Sequence, residues 1–141
     1  MKKAFTMIEL IYVIVIIGII SAIALPRLGG TVEQAYMTKG KDTLASVRSA
    51  ISTERQKRIL QGNLDDITSL NGSGGIFTTF DDANGSKVLQ YDVKSCSEIG
   101  CWSMSGTDYI FHREGTNCTF KLEDNRFKDE TASPGCTELA P

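Results

Sequence analysis

From Phe5 to Leu25 the chain reads FTMIELIYVIVIIGIISAIAL, an apolar run in which Glu9 is the one charged side chain. As a helix rising about 1.5 Å per residue the run measures roughly 32 Å, close to the hydrocarbon thickness of a bilayer. A buried strand is excluded by length, because strands of this composition run roughly 4–8 residues. A secretory signal peptide is the competing reading, with Ala22-Ile-Ala24 as a small-x-small cleavage pattern. Against it stand the carboxylate inside the apolar core and a helical pattern that resumes after Pro26.

That pattern places Leu28, Val32, Tyr36, Leu44, Val47, Ile51 and Leu60 near helical spacing, with Glu33, Lys41, Arg48 and Arg55 between them. It predicts an amphipathic continuation of the first helix, stopped at Gly62. Pro26 removes a backbone donor and, with Gly18 and the Gly29-Gly30 pair, is expected to soften or kink the rod; it equally marks the membrane exit. The Arg55-Gln56-Lys57-Arg58 cluster falls at the helix end, where cations favour the negative end of the dipole. That role is preferred to a nucleic-acid patch.

Beyond Gly62 the pattern changes to short alternations separated by Gly, Ser, Asn and Asp. Leu89-Tyr91-Val93, Tyr109 to His112 and Phe120-Leu122 read as strands. The expected fold class is α+β: a long N-terminal helix packed on a small antiparallel head of three or four strands, with Trp102, Phe111 and Phe127 in the core. Roughly 80 residues make a marginal domain, because small domains bury a limited fraction of their surface.

Charge divides the chain. Residues 1–60 carry nine Lys and Arg against four acids, and residues 61–141 carry six against thirteen, so the halves stand at +5 and −7 within a net of −2. Lys2 and Lys3 ahead of the apolar run are expected to hold the N-terminus on the cytoplasmic side, leaving the acidic half outside.

Lys2-Lys3-Ala4-Phe5-Thr6-Met7-Ile8-Glu9-Leu10, followed by the long apolar helix, resembles the N-terminal processing signature of the type IV pilin and type II secretion pseudopilin superfamily. The resemblance covers about the first thirty residues. It implies a leader of residues 1–4, cut between Ala4 and Phe5 by a prepilin peptidase, with N-methylation of the new Phe5 amine. The family usually has Gly before the cut, where this chain has Ala4. The remaining segments are then a transmembrane and polymerisation helix at 5–26, its amphipathic continuation at 27–61 and a β head at 62–141. A freed amine, with an ordinary pKa of about 7.7–8.0, is costly among apolar side chains unless an anion lies close. The resemblance implies that Glu9 is that anion, paired with the amine of a neighbouring subunit.

Four cysteines, Cys96, Cys101, Cys118 and Cys136, in a small exported head point to two disulfides. Three connectivities are open. Pairing Cys96 with Cys101 and Cys118 with Cys136 is preferred because each closes a local loop, and the second resembles the C-terminal disulfide loop of many pilins. Zinc is the competing reading, but the C-x-x-C spacing is missing.

No catalytic constellation is visible, so an enzyme is not expected, nor are a cofactor and a bound metal. His112, the one histidine, reads as a surface or packed strand residue. Asn71 to Gly75 lacks the Lys and Ser/Thr of a P-loop. Asp81-Asp82-Ala83-Asn84-Gly85-Ser86 is oxygen-rich but lacks calcium-loop spacing, and a plain turn at Asn84-Gly85 is preferred. The expected function is a structural subunit of a type IV pilus-like filament. The alternatives are a type II secretion pseudopilin, or a minor pilin whose head binds a surface, a secreted substrate or DNA. The implied partners are prepilin peptidase, copies of the chain and related pilins, the inner membrane and an assembly platform. Nucleic acid is not expected by default, since an acidic head is poorly suited to phosphates. The implied location is the inner membrane before assembly, with the head outside the cytoplasm, then a periplasmic or extracellular filament.

Overall fold

The structure, a computed structural model, describes residues 5–72, 74–81, 85–131 and 133–140, and of residues 25–29 the backbone alone. Two compact units divide between Gln34 and Ala35. One helix, α1, runs Met7–Leu60. Its backbone is helical through Gly18, Pro26, Gly29 and Gly30. Residues 7–34 of α1 belong to the first unit.

The second unit holds the rest of α1, four short strands and a final helical turn. β1 spans Trp102–Ser105, β2 Asp108–Phe111, β3 Cys118–Glu123 and β4 Arg126–Asp129, and α2 spans Pro134–Thr137. The strands form one antiparallel sheet in the order β1-β2-β3-β4. Both hairpins are tight because their turn residues accept left-handed backbone: Gly106 in the first, and Asp124 and Asn125 in the second, at φ 51° and 59°.

α1 faces this core with Met37, Gly40, Leu44, Val47, Ile51 and Glu54, all buried, at alternating spacings of three and four. That stripe corrects the sequence expectation. Val32 and Tyr36 are exposed at 49% and 39%, and Leu60 at 88%, so the buried face begins one residue later than Tyr36 and ends before Leu60. Leu28 lies outside the described side chains. Gly40 sits in the stripe because the helix passes too close for a side chain: a Cβ there would lie 2.7 Å from Phe111 Cζ and 2.9 Å from Leu139 Cδ2.

Opposite the stripe, Trp102, Phe111 and Phe127 are buried with Phe77, Tyr109 and Phe120. Phe77 stacks on Tyr109 with ring centroids 5.1 Å apart and packs T-shaped with Trp102 at 5.3 Å, while Phe120 stacks on Phe127 at 5.5 Å. Such contacts add about 0.5–1.5 kcal/mol per pair beyond area burial. The strand expected over Leu89-Tyr91-Val93 does not form. Val93 makes one isolated bridge to Ile76, and Tyr91 is 80% exposed. Among the described residues the alternation there has no neighbouring strand to sustain a ladder.

α1 ends in a Schellman turn: Gly62 at φ 77° donates to Ile59 O, and Asn63 donates to Arg58 O. The cationic cluster ties down the loop that follows. Arg55 donates to the Leu64 and Asp65 carbonyls at 3.0 and 2.8 Å, and Arg58 pairs with both Glu54 and Asp81. The other Asp81 oxygen accepts from Thr68 N–H and Oγ1 and from Ser69 N–H. Burial pushes the Asp81 carboxyl up, but the Thr68, Arg58 and Ser69 hydrogen bonds outweigh it and hold the group below its ordinary 3.8. Burial likewise raises Glu54, and hydrogen bonds from Arg58, Ser86 and Lys57 bring it below 4.5. Cys96 is bonded to Cys101, and Cys118 to Cys136.

Three outcomes are expected for the full chain unfolded in non-ionic detergent. Gly40→Ala loses about 1–3 kcal/mol to overpacking, although alanine is the better helix former. Replacing Cys118 and Cys136 together by serine costs about 3 kcal/mol on the chain-entropy model, since the bond spans a separation of 18 residues. Because the folded Asp81 and Glu54 bind protons more weakly than the unfolded groups, their stabilisation is complete above 3.8 and 4.5 and disappears as pH falls through the lower folded values. The denaturation midpoint therefore drops below about pH 4, and Asp81→Asn, which tolerates the same left-handed backbone, lowers the neutral midpoint and shrinks the acid-induced drop.

Candidate functional site

The start of α1 is built by a cap. Leu10 N–H donates to Thr6 O at 3.2 Å, and Glu9 N–H lies 3.1 Å from Thr6 O and 3.4 Å from Thr6 Oγ1. Thr6-Met7-Ile8-Glu9 has the hydroxyl-x-x-Glu spacing of a capping box, a signal available in the sequence that the reading of the apolar run passed over. Glu9 thus stands in the first turn, where the helix dipole favours an anion. This is a second reason for a carboxylate there, besides any counter-charge.

Nothing described neutralises that carboxylate. Among the described residues Glu9 makes no ion pair, and its hydrogen bonds to them are those of its main-chain N–H. It flanks a shallow apolar cleft of about 410 Å³ formed with Ile8, Ile11, Tyr12 and Val15. Phe5 is 84% exposed. Ala4 lies outside the described residues.

Met7–Ala24 has a mean hydropathy of 2.7 over 18 residues, none of them buried within the structure, and is long and apolar enough to cross a membrane. Ile8, Leu10, Ile11, Ile14, Ile17 and Ile20 are exposed alongside Val13, Val15, Ile16 and Ile19, so the apolar surface continues right round the helix. Such a helix belongs in a membrane or in the interior of an assembly. A Cβ at Gly18 would meet nothing within 4 Å, so packing inside the chain does not demand glycine there.

The other sequence candidates fall elsewhere. His112 Nε2 lies 2.7 Å from Ser103 Oγ across the β1-β2 hairpin, but among the described residues no carboxylate orients the imidazole, so the pair has no third member there to activate the serine. Asp81 has both oxygens engaged by Thr68, Ser69 and Arg58, which removes it as a free calcium ligand. Asp82 and Asn84 lie outside the described residues. No group of three or more His, Cys, Asp or Glu with metal-holding geometry occurs among the described residues.

No protein-family model matches the chain, and no solved structure matches it. Two curated proteins are similar. The type IV narrow pilus major component PilA5 of Thermus thermophilus is 51% identical over 59 residues, which are 40% of this chain and 51% of that protein. A fimbrial protein of Moraxella nonliquefaciens is 42% identical over 55 residues, 39% of this chain and 36% of its own length. The chain therefore spans about half the length of the first relative and about a third of the second. The long apolar N-terminal helix, the small four-stranded antiparallel sheet, the disulfide at the C-terminal end and these two similarities together support placing the chain in the pilin superfamily.

Proposed function

We propose that the chain is a structural subunit of a type IV pilus-like filament, assembled through residues 5–26, with 27–61 as the continuing helix and 62–141 as the displayed head. The observation that carries this reading is Glu9: a carboxylate without a counter-charge among the described residues, set at the front of a helix that is apolar on every face. Placing a charge at mid-bilayer costs about 2.5–3.5 kcal/mol, and less near an edge. A cation supplied by a neighbour repays that cost where water is excluded, and no second charge lies in the helix from Met7 to Ala24 to serve.

On this reading a prepilin peptidase cuts between Ala4 and Phe5, the Phe5 amine becomes the cation, and each subunit's Glu9 accepts the amine of the next. The pair sets the axial step between subunits. The similarity to a pilus component and to a fimbrial protein favours a pilus over a secretion pseudopilus. The head then faces out of the cytoplasm, and membrane, assembly platform and further copies of the chain are its partners.

Glu9→Val is expected to insert into membranes at normal levels while its recovery in sheared filaments falls at least tenfold, as read by immunoblot of the two fractions. Mass analysis of the mature protein is expected to show a chain beginning at methylated Phe5. Normal filaments from Glu9→Val, or a mature chain beginning at Leu25, would refute the proposal.

A further inference from the structure

β4 is an edge of the sheet, and its outward main-chain groups are not paired within it. Glu130 N–H donates to Thr119 O, so in an antiparallel pair of this register the bonded positions on β4 are Glu130, Lys128 and Arg126. Phe127 and Asp129 consequently turn their N–H and C=O groups away from β3. One of those groups, Phe127 O, is met by Arg48 Nε from α1 at 3.2 Å. Between that edge and the flank of α1 lies an open groove of about 730 Å³.

The groove carries the opposite charge to the head around it. Arg48 and Arg55 line one wall, Arg126 and Lys128 the other, against Asp124 and Asp129. The excess of two cations among these side chains comes from Arg48 and Arg55 of α1, set beside a region, residues 61–141, that stands at −7; Arg55 also pairs at the surface with Asp66 at 3.7 Å. Arg126 is exposed and forms no ion pair among the described residues. Lys128 is shared between Glu123 and Asp124 at 2.9 and 3.8 Å, and both contacts are at the surface, where exchange for another carboxylate is cheap.

We propose that this groove is a docking site for an acidic peptide in extended conformation, which adds to β4 as a fifth strand. Phe127 N–H and the N–H and C=O of Asp129 supply the main-chain hydrogen bonds, Phe127 O staying with Arg48, and strand addition of this kind takes its affinity from the backbone and its selectivity from alternate side chains. Residues opposite Arg126 and Lys128 share the face of those cations, so carboxylates at every second position are selected. Side chains between them turn toward Arg48, Ser52 and Arg55. The floor favours a peptide over a polyphosphate, because a nucleic acid offers no row of amides to the edge and would meet Asp124 and Asp129. The site is separate from Glu9 and does not depend on the assembly role.

The test uses the full chain in non-ionic detergent with a labelled peptide of alternating Glu and Val, read by fluorescence polarisation and by amide hydrogen exchange. Binding is expected together with slowed exchange at Phe127 and Asp129. The Gln-for-Glu peptide and the charge reversals Arg126→Glu and Lys128→Glu are each expected to bind at least tenfold more weakly. A peptide N-methylated at alternate residues is expected to lose binding while keeping its charge. Both reversals are at the surface, and unchanged denaturation midpoints establish that the variants fold. No binding of the acidic peptide, equal binding of the N-methylated peptide, or tighter binding of a single-stranded oligonucleotide overturns the proposal.

Discussion

A helix that is apolar on every side cannot stay in water, and the behaviour of the first unit follows from that constraint. Burying one Leu, Ile, Val, Phe or Met side chain gains about 1.5–3 kcal/mol, and the exposed face from Met7 to Ile23 holds a dozen of them. Against such a gain, the cost of carrying one carboxylate is small. The carboxylate can therefore be retained for what it selects, while the hydrophobic surface supplies the affinity. Thr6 and the first-turn position of Glu9 add local reasons for the helix to begin where it does.

The second unit lives under the opposite regime. Here α1 is apolar on one stripe only, and the stripe meets a cluster of six aromatic rings. Gly40 lets the helix approach Phe111 and Leu139 closely, giving up helix propensity for contact. At the far end of the stripe the apolar positions give way to Glu54 and Arg58, which with Asp81 fasten the loop after the helix by charge-assisted hydrogen bonds. A small head with a limited core is thus held by packing in its middle and by polar and covalent ties at its margins.

Much of this was legible in the residues. The length of the apolar run, the strands through Tyr109–Phe111 (expected to reach His112) and Phe120–Leu122 and the burial of Trp102, Phe111 and Phe127 follow from hydropathy and alternation, which are local signals. The phase of the amphipathic stripe was less legible. Val32 and Tyr36 fit helical spacing as well as Met37 does, and glycine carries no hydrophobic signal, so Gly40 could be assigned to the core only once Phe111 was seen beside it. Leu89, Tyr91 and Val93 alternate like a strand, yet a strand needs a partner and alternation does not name one. Phe77 is a further case: its backbone lies in the left-handed region at φ 52°, unusual for an aromatic residue, and is held there by packing against Tyr109 and Trp102. The Arg48 to Phe127 contact joins positions 79 apart, a distance over which sequence patterning is silent.

The bond between Cys118 and Cys136 has a consequence of topology as well as of stability. It encloses all of β4 and the turn leading into α2, so a protease that severs one peptide link anywhere inside that ring liberates no fragment. Two separate cuts are needed before material is shed. Nicking inside the ring is thereby converted from a loss of mass into a tolerable scar.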